Sequence, residues 1–155
     1  LHAKKTLAYT EMVSGGEVEL RPGILELIRD AQAKGFRLAI ATTTTPANVD
    51  ALLGSTLGGT GDFEVICAGD SVANKKPAPD VYELALERLA LPAADCVAIE
   101  DSRNGLLSAV AADIACVVTP GMYTSGQDFD EAALVIDDLA ACDFAEIYRL
   151  TLPAE

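Results

Sequence analysis

Cys96-Val97-Ala98-Ile99-Glu100-Asp101-Ser102-Arg103-Asn104-Gly105 is four apolar residues, an acidic pair and a serine, followed by a helical run. A short apolar run closed by polar residues reads as a strand buried on both faces. Arg103 to Ala112 carries helical spacing, so the strand passes into a helix through a loop holding two adjacent carboxylates. Such carboxylates repel each other unless a cation lies between them. Hard oxygen donors of this kind suit magnesium, which keeps several of its waters. Capping of the helix by Asp101 or Ser102 accounts for the same residues without a metal.

The pattern repeats in both directions. Upstream, Phe36 to Ala41 reads as a strand, Thr42 to Thr45 as its loop, and Pro46 to Leu53 as a short helix followed by a glycine-rich loop, Gly54 to Gly61. Phe63 to Ala68 is another strand, and Lys75-Lys76-Pro77-Ala78-Pro79-Asp80 opens an amphipathic helix over Pro77 to Leu91. Downstream come strands at Ala115 to Val118 and Ala133 to Ile136, then a terminal helix near Ala140 to Leu150. At the other end, Leu1 to Val13 is helix-like and Ser14-Gly15-Gly16 closes it. Val18 to Leu20 is an extended connector. Arg21-Pro22-Gly23 then starts a helix with Ile24, Leu25, Leu27, Ile28 and Ala31 on its apolar side and Gly35 as its stop. Continuous apolar strands alternating with helices predict an α/β fold whose parallel sheet is covered on both faces. Ligands of such sheets bind at the carboxyl ends of the strands, where Thr42, Lys76, Glu100 and Asp101 fall.

Thr42 follows Leu38-Ala39-Ile40-Ala41. Its hydroxyl can donate to a phosphate oxygen, and the amides of Thr43 and Thr44 can assist. A threonine-rich cap before Pro46 is the structural alternative. Lys76 is held between Lys75 and Pro77, and can neutralise a phosphate and a neighbouring carboxylate. A cation at a helix start opposes the helix dipole, so a merely solvated lysine is the less expected reading there. Lys75 reads as solvent-facing or at a substrate rim.

The chain has 155 residues, half of them hydrophobic, which suffices for one domain with a core. Its 24 acidic residues against 11 basic ones give a net charge of −13, which disfavours nucleic acid and anionic membranes as partners. A phosphate site therefore needs local cations, with Lys5 and Lys76 as candidates. Four cysteines without a C-x-x-C pair read as free core thiols of a reducing cytoplasm or chloroplast stroma. His2 is the only histidine, which removes histidine metal sites and Ser-His-Asp triads. No apolar run approaches the roughly 18 residues of a membrane span, and no signal peptide is visible. The first residue is Leu1 rather than Met, which reads as a fragment.

Taken in order, these motifs resemble the haloacid dehalogenase-like (HAD) superfamily, and within it the CbbY-like branch, close to the β-phosphoglucomutases and phosphoglycolate phosphatases. "RPGILELI…GFRLAIATTT", "KKPAPDVYELAL" and "AIEDSRNGL" look like its second, third and fourth motifs. "TTTTPANVDALL" and "EDSRNG" favour the CbbY-like branch. The resemblance implies a HAD-like Rossmannoid three-layer sandwich with residues 1–13 as the last helix of a cap domain, 14–20 as a hinge and 21–155 as the core. It implies that Thr42 binds the transferring phosphoryl group, that Lys76 holds phosphate and nucleophile, and that Asp101 ligates Mg2+ with Glu100 beside it, directly or through water. Asn104 would orient the fourth motif's loop. Lys5, in "LHAKKTLAY", resembles a cap lysine that contacts substrate phosphate; an exposed helical lysine is the alternative.

One family part is missing. The first motif, D-x-D-G-T or similar, supplies a nucleophilic aspartate on the central strand, upstream of the cap. The one D-x-D here, Asp128-Phe129-Asp130, follows Ser-Gly-Gln rather than an apolar strand and reads as a loop. Without the central strand two apolar edges stand open, so these residues alone are expected to be inactive and poorly stable. The expected parent activity is a magnesium-dependent phosphatase of small phosphorylated sugars, such as xylulose-1,5-bisphosphate, acting through an aspartyl-phosphate. A phosphomutase and a non-catalytic phosphometabolite-binding module are the alternatives. A nucleotide-binding domain is disfavoured, because neither G-x-G-x-x-G nor a P-loop motif occurs.

Overall fold

A computed structural model describes residues 19–151. Residues 1–13, most of the hinge at 14–20 and Lys5 lie outside the described residues. The first helix, α1 (Ile24–Ala33), begins after Gly23. Gly23 holds φ 84°, which glycine adopts without strain, and a Cβ on it would lie 2.6 Å from the Ala140 amide nitrogen. The helix ends in a Schellman turn, with Phe36 N donating to Ala31 O at 2.9 Å and Gly35 N to Gln32 O at 3.0 Å.

The chain then alternates: β1 (Ala39–Ala41), α2 (Pro46–Leu57), β2 (Val65–Cys67), α3 (Asp80–Leu89), β3 (Val97–Glu100), α4 (Arg103–Ala111), β4 (Ala115–Val118), β5 (Leu134–Val135) and α5 (Phe144–Tyr148). β1 pairs in parallel with β2, Ile40 opposite Ile66. β3, β4 and β5 form a second parallel sheet in that order.

The alternation of side chains along each strand places helices on both faces. Ala39 and Ala41 of β1, Ala98 of β3, and Cys116 and Val118 of β4 pack with Val81, Tyr82 and Ala85 of α3 and Leu106 and Ala109 of α4. The intervening residues point the other way: Val97, Ile99 and Val117 meet Leu27 of α1 and Ile147 of α5, while Ile40 and Ile66 meet Val49 and Leu53 of α2. The result is the expected three-layer sandwich.

Three boundaries differ from expectation. α2 runs through Gly54 to Leu57 and stops at Gly58, φ 77°. An interior glycine costs about 1 kcal/mol against alanine, and Leu57 offsets this by packing on the same cluster as Leu53. α3 starts at Asp80, because Pro79 disfavours helical backbone at Ala78. The terminal helix is broken into short turns around α5, because Asp138 and Asp143 each cap a fresh turn by accepting from Ala140 N and Ala145 N.

β1 and β3 do not pair. Their edges face each other across a cleft of about 560 Å3, lined by residues 37–41 on one side and 95–99 on the other, with Tyr82 and Leu86 of α3 on its wall. The parallel sheet is thus open at its centre.

Candidate active site

The loops that leave β1, β2 and β3 at their carboxyl ends are tied together beside this cleft. Thr42 N donates to Cys67 O at 2.9 Å, and Gly69 N to Thr44 O at 2.7 Å. The β1 and β2 loops approach so closely that a Cβ on Gly69 would meet Thr43 O at 2.2 Å. Thr42 Oγ1 accepts from Thr44 N at 3.2 Å, which leaves the Thr42 hydroxyl proton free to donate. Thr44 Oγ1 accepts from Asn48 Nδ2, and Thr45 caps α2. The Thr44 amide, expected to face a phosphate, is engaged within its own loop, while Thr43 is half-buried.

Lys76 crosses the gap. Its Nζ donates to Ala41 O at the end of β1 at 2.9 Å and to Glu100 Oε1 at the end of β3. One ammonium thus joins two strands that do not pair with each other. Lys76 and Glu100 are nearly buried, their side chains 13% and 9% exposed. Tyr82 Oη donates to the same Glu100 oxygen, and Lys76 Nζ lies 4.8 Å from the centre of the Tyr82 ring. Burial, reinforced by the Glu100 carboxylate, pushes the Tyr82 hydroxyl well above its ordinary value of 10.0. The tyrosine therefore remains a donor. Burial first, then Glu100, also pushes the Cys116 thiol up to about 12. Lys75 is exposed.

Asp101 is exposed, directly after Glu100. Its loop is braced from the segment after β4: Thr124 Oγ1 donates to Asp101 O at 2.5 Å and accepts from Gly121 N at 2.8 Å. Gln127 Oε1 accepts from Arg103 N at 2.7 Å, and the Arg103 guanidinium pairs with Glu131. Ser102 caps α4 by accepting from Gly105 N at 3.3 Å. Asn104 sits exposed on the first turn of α4. Thr124, Gln127 and Ser102 make the hydrogen bonds that order this loop. Asp128 and Asp130 lie in the loop before β5, and Asp128 pairs with Arg103.

Among the described residues no cluster of three or more histidine, cysteine or acidic side chains forms a metal cage. Glu100 and Asp101 present two adjacent carboxylates where β3 passes into its loop. This donor set fits Mg2+, which is commonly held by one or two carboxylates with water and substrate phosphate completing its shell.

Sequence reasoning missed three residues of this arrangement: Tyr82, Gly105 and Thr124. Tyr82 lies among the apolar positions of an amphipathic helix and reads as core, with no signal for its hydroxyl. Gly105 ends the quoted motif. Its missing side chain is the one available clue, because a Cβ there would strike Glu100 Oε2 at 1.8 Å.

A family model for haloacid dehalogenase-like hydrolases matches residues 3–113. The chain is 58% identical over 143 residues to protein CbbY of Rhodobacter capsulatus, covering 91% of this chain and 63% of that protein. The crystal structure of CbbY from Rhodobacter sphaeroides in complex with phosphate superposes with a TM-score of 0.86 at 46% identity, over 90% of this chain and 63% of that one. A mutant of the same protein in complex with xylulose-1,5-bisphosphate matches with the same TM-score and coverage. The chain thus spans somewhat less than two thirds of these relatives. The open-centred parallel sheet, its acidic pair and the extent of these matches place the chain in the haloacid dehalogenase-like hydrolase family.

Proposed function

We propose that this chain is the core of a magnesium-dependent phosphatase of small phosphorylated sugars, with a sugar bisphosphate such as xylulose-1,5-bisphosphate as substrate. The observation that carries this reading is Lys76, whose ammonium spans the gap between β1 and β3 at their carboxyl ends. An extended segment filling the cleft would end beside that ammonium, Thr42 and Asp101. In the family that segment carries the nucleophilic aspartate. Its attack on phosphorus breaks the bond to the sugar oxygen, which takes a proton from the second aspartate of the D-x-D motif, and gives an aspartyl-phosphate, which water hydrolyses to inorganic phosphate and the free aspartate.

Here Thr42 donates its hydroxyl proton to a phosphoryl oxygen, and Lys76 offsets the negative charge of phosphate and nucleophile. Asp101 and Glu100 would hold Mg2+, which when bound neutralises charge on the phosphoryl oxygens. The Thr43 amide would assist Thr42, Asn104 would orient the loop that follows β3, and Lys5 would contact a phosphate of the substrate. The 46% identity to a CbbY whose mutant was crystallised with xylulose-1,5-bisphosphate supports the sugar bisphosphate. Four free thiols suit a reducing compartment, the cytoplasm or a chloroplast stroma. Among the described residues no helix is long and apolar enough to cross a membrane.

The test is phosphate release by the full-length gene product from a panel of sugar mono- and bisphosphates, with and without Mg2+. Release that requires Mg2+ and falls about 100-fold or more in Lys76→Ala supports the proposal. Interconversion of sugar phosphates without net release would make it a mutase, and binding without turnover a sensor.

A further inference from the structure

One oxygen of the Glu100 carboxylate carries both of its hydrogen bonds. Lys76 Nζ and Tyr82 Oη both donate to Oε1. A carboxylate oxygen offers two lone-pair sites, so Oε1 is filled. No hydrogen bond among the described residues reaches Oε2, which lies against the first turn of α4 in the space that a Gly105 side chain would take. The carboxylate can present only this second oxygen.

That constraint distinguishes two abundant cations. Mg2+ demands near-ideal octahedral geometry, whereas Ca2+ takes more ligands, at longer distances, and accepts both oxygens of one carboxylate. We propose that Tyr82 is a specificity-determining residue for the cation: by sharing Oε1 with Lys76 it makes Glu100 a one-oxygen donor, which fits Mg2+ and disfavours Ca2+. Lys76 alone would leave one Oε1 lone pair open, and a modest rotation would then let both oxygens face the ion. The hydroxyl is buried with its ring, Tyr82 being 8% exposed. The inference rests on the metal half of the proposed function and is independent of the substrate.

The experiment is calorimetric titration of the full-length gene product with MgCl2 and, separately, CaCl2, without substrate. Tyr82→Phe keeps the ring and removes only the hydroxyl. Its ratio of Ca2+ to Mg2+ affinity is expected to rise about tenfold over the native protein, the scale on which second partners of metal ligands act. Tyr82→Leu, which also lacks the hydroxyl, should move the ratio in the same direction. A purely structural role for Tyr82 would weaken both ions together, and an unchanged ratio in both variants overturns the proposal. Asp101→Asn separates the two readings. If it abolishes binding of both ions while the Tyr82 variants leave the ratio fixed, the cation site stands and the role of Tyr82 fails. If it leaves binding untouched, or the native protein binds neither ion, both fail.

Discussion

Lys76 and Glu100 form a nearly buried ion pair, and removing one partner leaves the other charge without compensation. Lys76→Met should therefore cost about 3 kcal/mol in urea unfolding, far more than an exposed lysine would. Gly105→Ala places a methyl group where Glu100 Oε2 sits. It should lower Mg2+ affinity by about tenfold while leaving the far-UV circular dichroism unchanged. Burial raises all four thiols, but Cys67 and Cys116 are fully buried whereas Cys96 and Cys142 are half-buried. A thiol reagent at about pH 8 should label Cys96 and Cys142 in the folded protein and the other two only in denaturant, read by mass spectrometry. At this scale the placement of Thr42, Glu100 and Asp101 at strand ends was legible, because each stands where an apolar run meets its loop, and Lys76 was marked by the proline-rich stretch before α3. Tyr82 was not, since its hydroxyl acts only through a residue 18 positions away in the chain. Thr124 was hidden for the same reason, reaching Asp101 across 23 positions.

Among the elements, α1 and α5 are joined by a polar contact as well as by packing. Tyr148 Oη donates to Asp30 Oδ2 at 2.8 Å, Lys34 Nζ donates to Asp30 Oδ1 at 2.5 Å, and Phe36 stacks on Tyr148 at 4.6 Å. The Lys34 ammonium first, then the Tyr148 hydroxyl, hold the Asp30 carboxyl below its ordinary value of 3.8. A carboxyl depressed on folding adds stability above its unfolded value and loses it as pH falls through the folded one. Asp30→Asn should thus be less stable than the native protein at neutral pH and converge with it well below about pH 4, as melts across pH will show. The elements themselves were legible from apolar runs and their punctuation. Their ends were less so where local capping competed with periodicity, as at Pro79, Gly58, Asp138 and Asp143. The bracing of the Asp101 loop by the segment after β4 left no trace in local sequence, because it depends on how β4 lies beside β3.

For the whole molecule, the decisive feature is the open centre of the sheet. Residues 37–41 and 95–99 face a cleft of about 560 Å3 where a further parallel strand would complete both sheets and pair their free backbone groups. Open apolar edges are a liability, so residues 1–155 alone should melt below about 60 °C. The open centre was foreseeable only through family resemblance, since apolar periodicity fixes the order of strands along the chain but not which of them are neighbours. The acidic surface, the parallel strands and the helices on both faces were all readable directly. On the proposed function, charge-stabilising groups stand at the rim of the cleft and the nucleophile would lie on the strand that fills it. Phosphate release from xylulose-1,5-bisphosphate with Mg2+, measured side by side for residues 1–155 and for the full-length gene product, tests this most directly. Turnover is expected from the full-length product and none from residues 1–155; equal turnover by both overturns the proposed nucleophile.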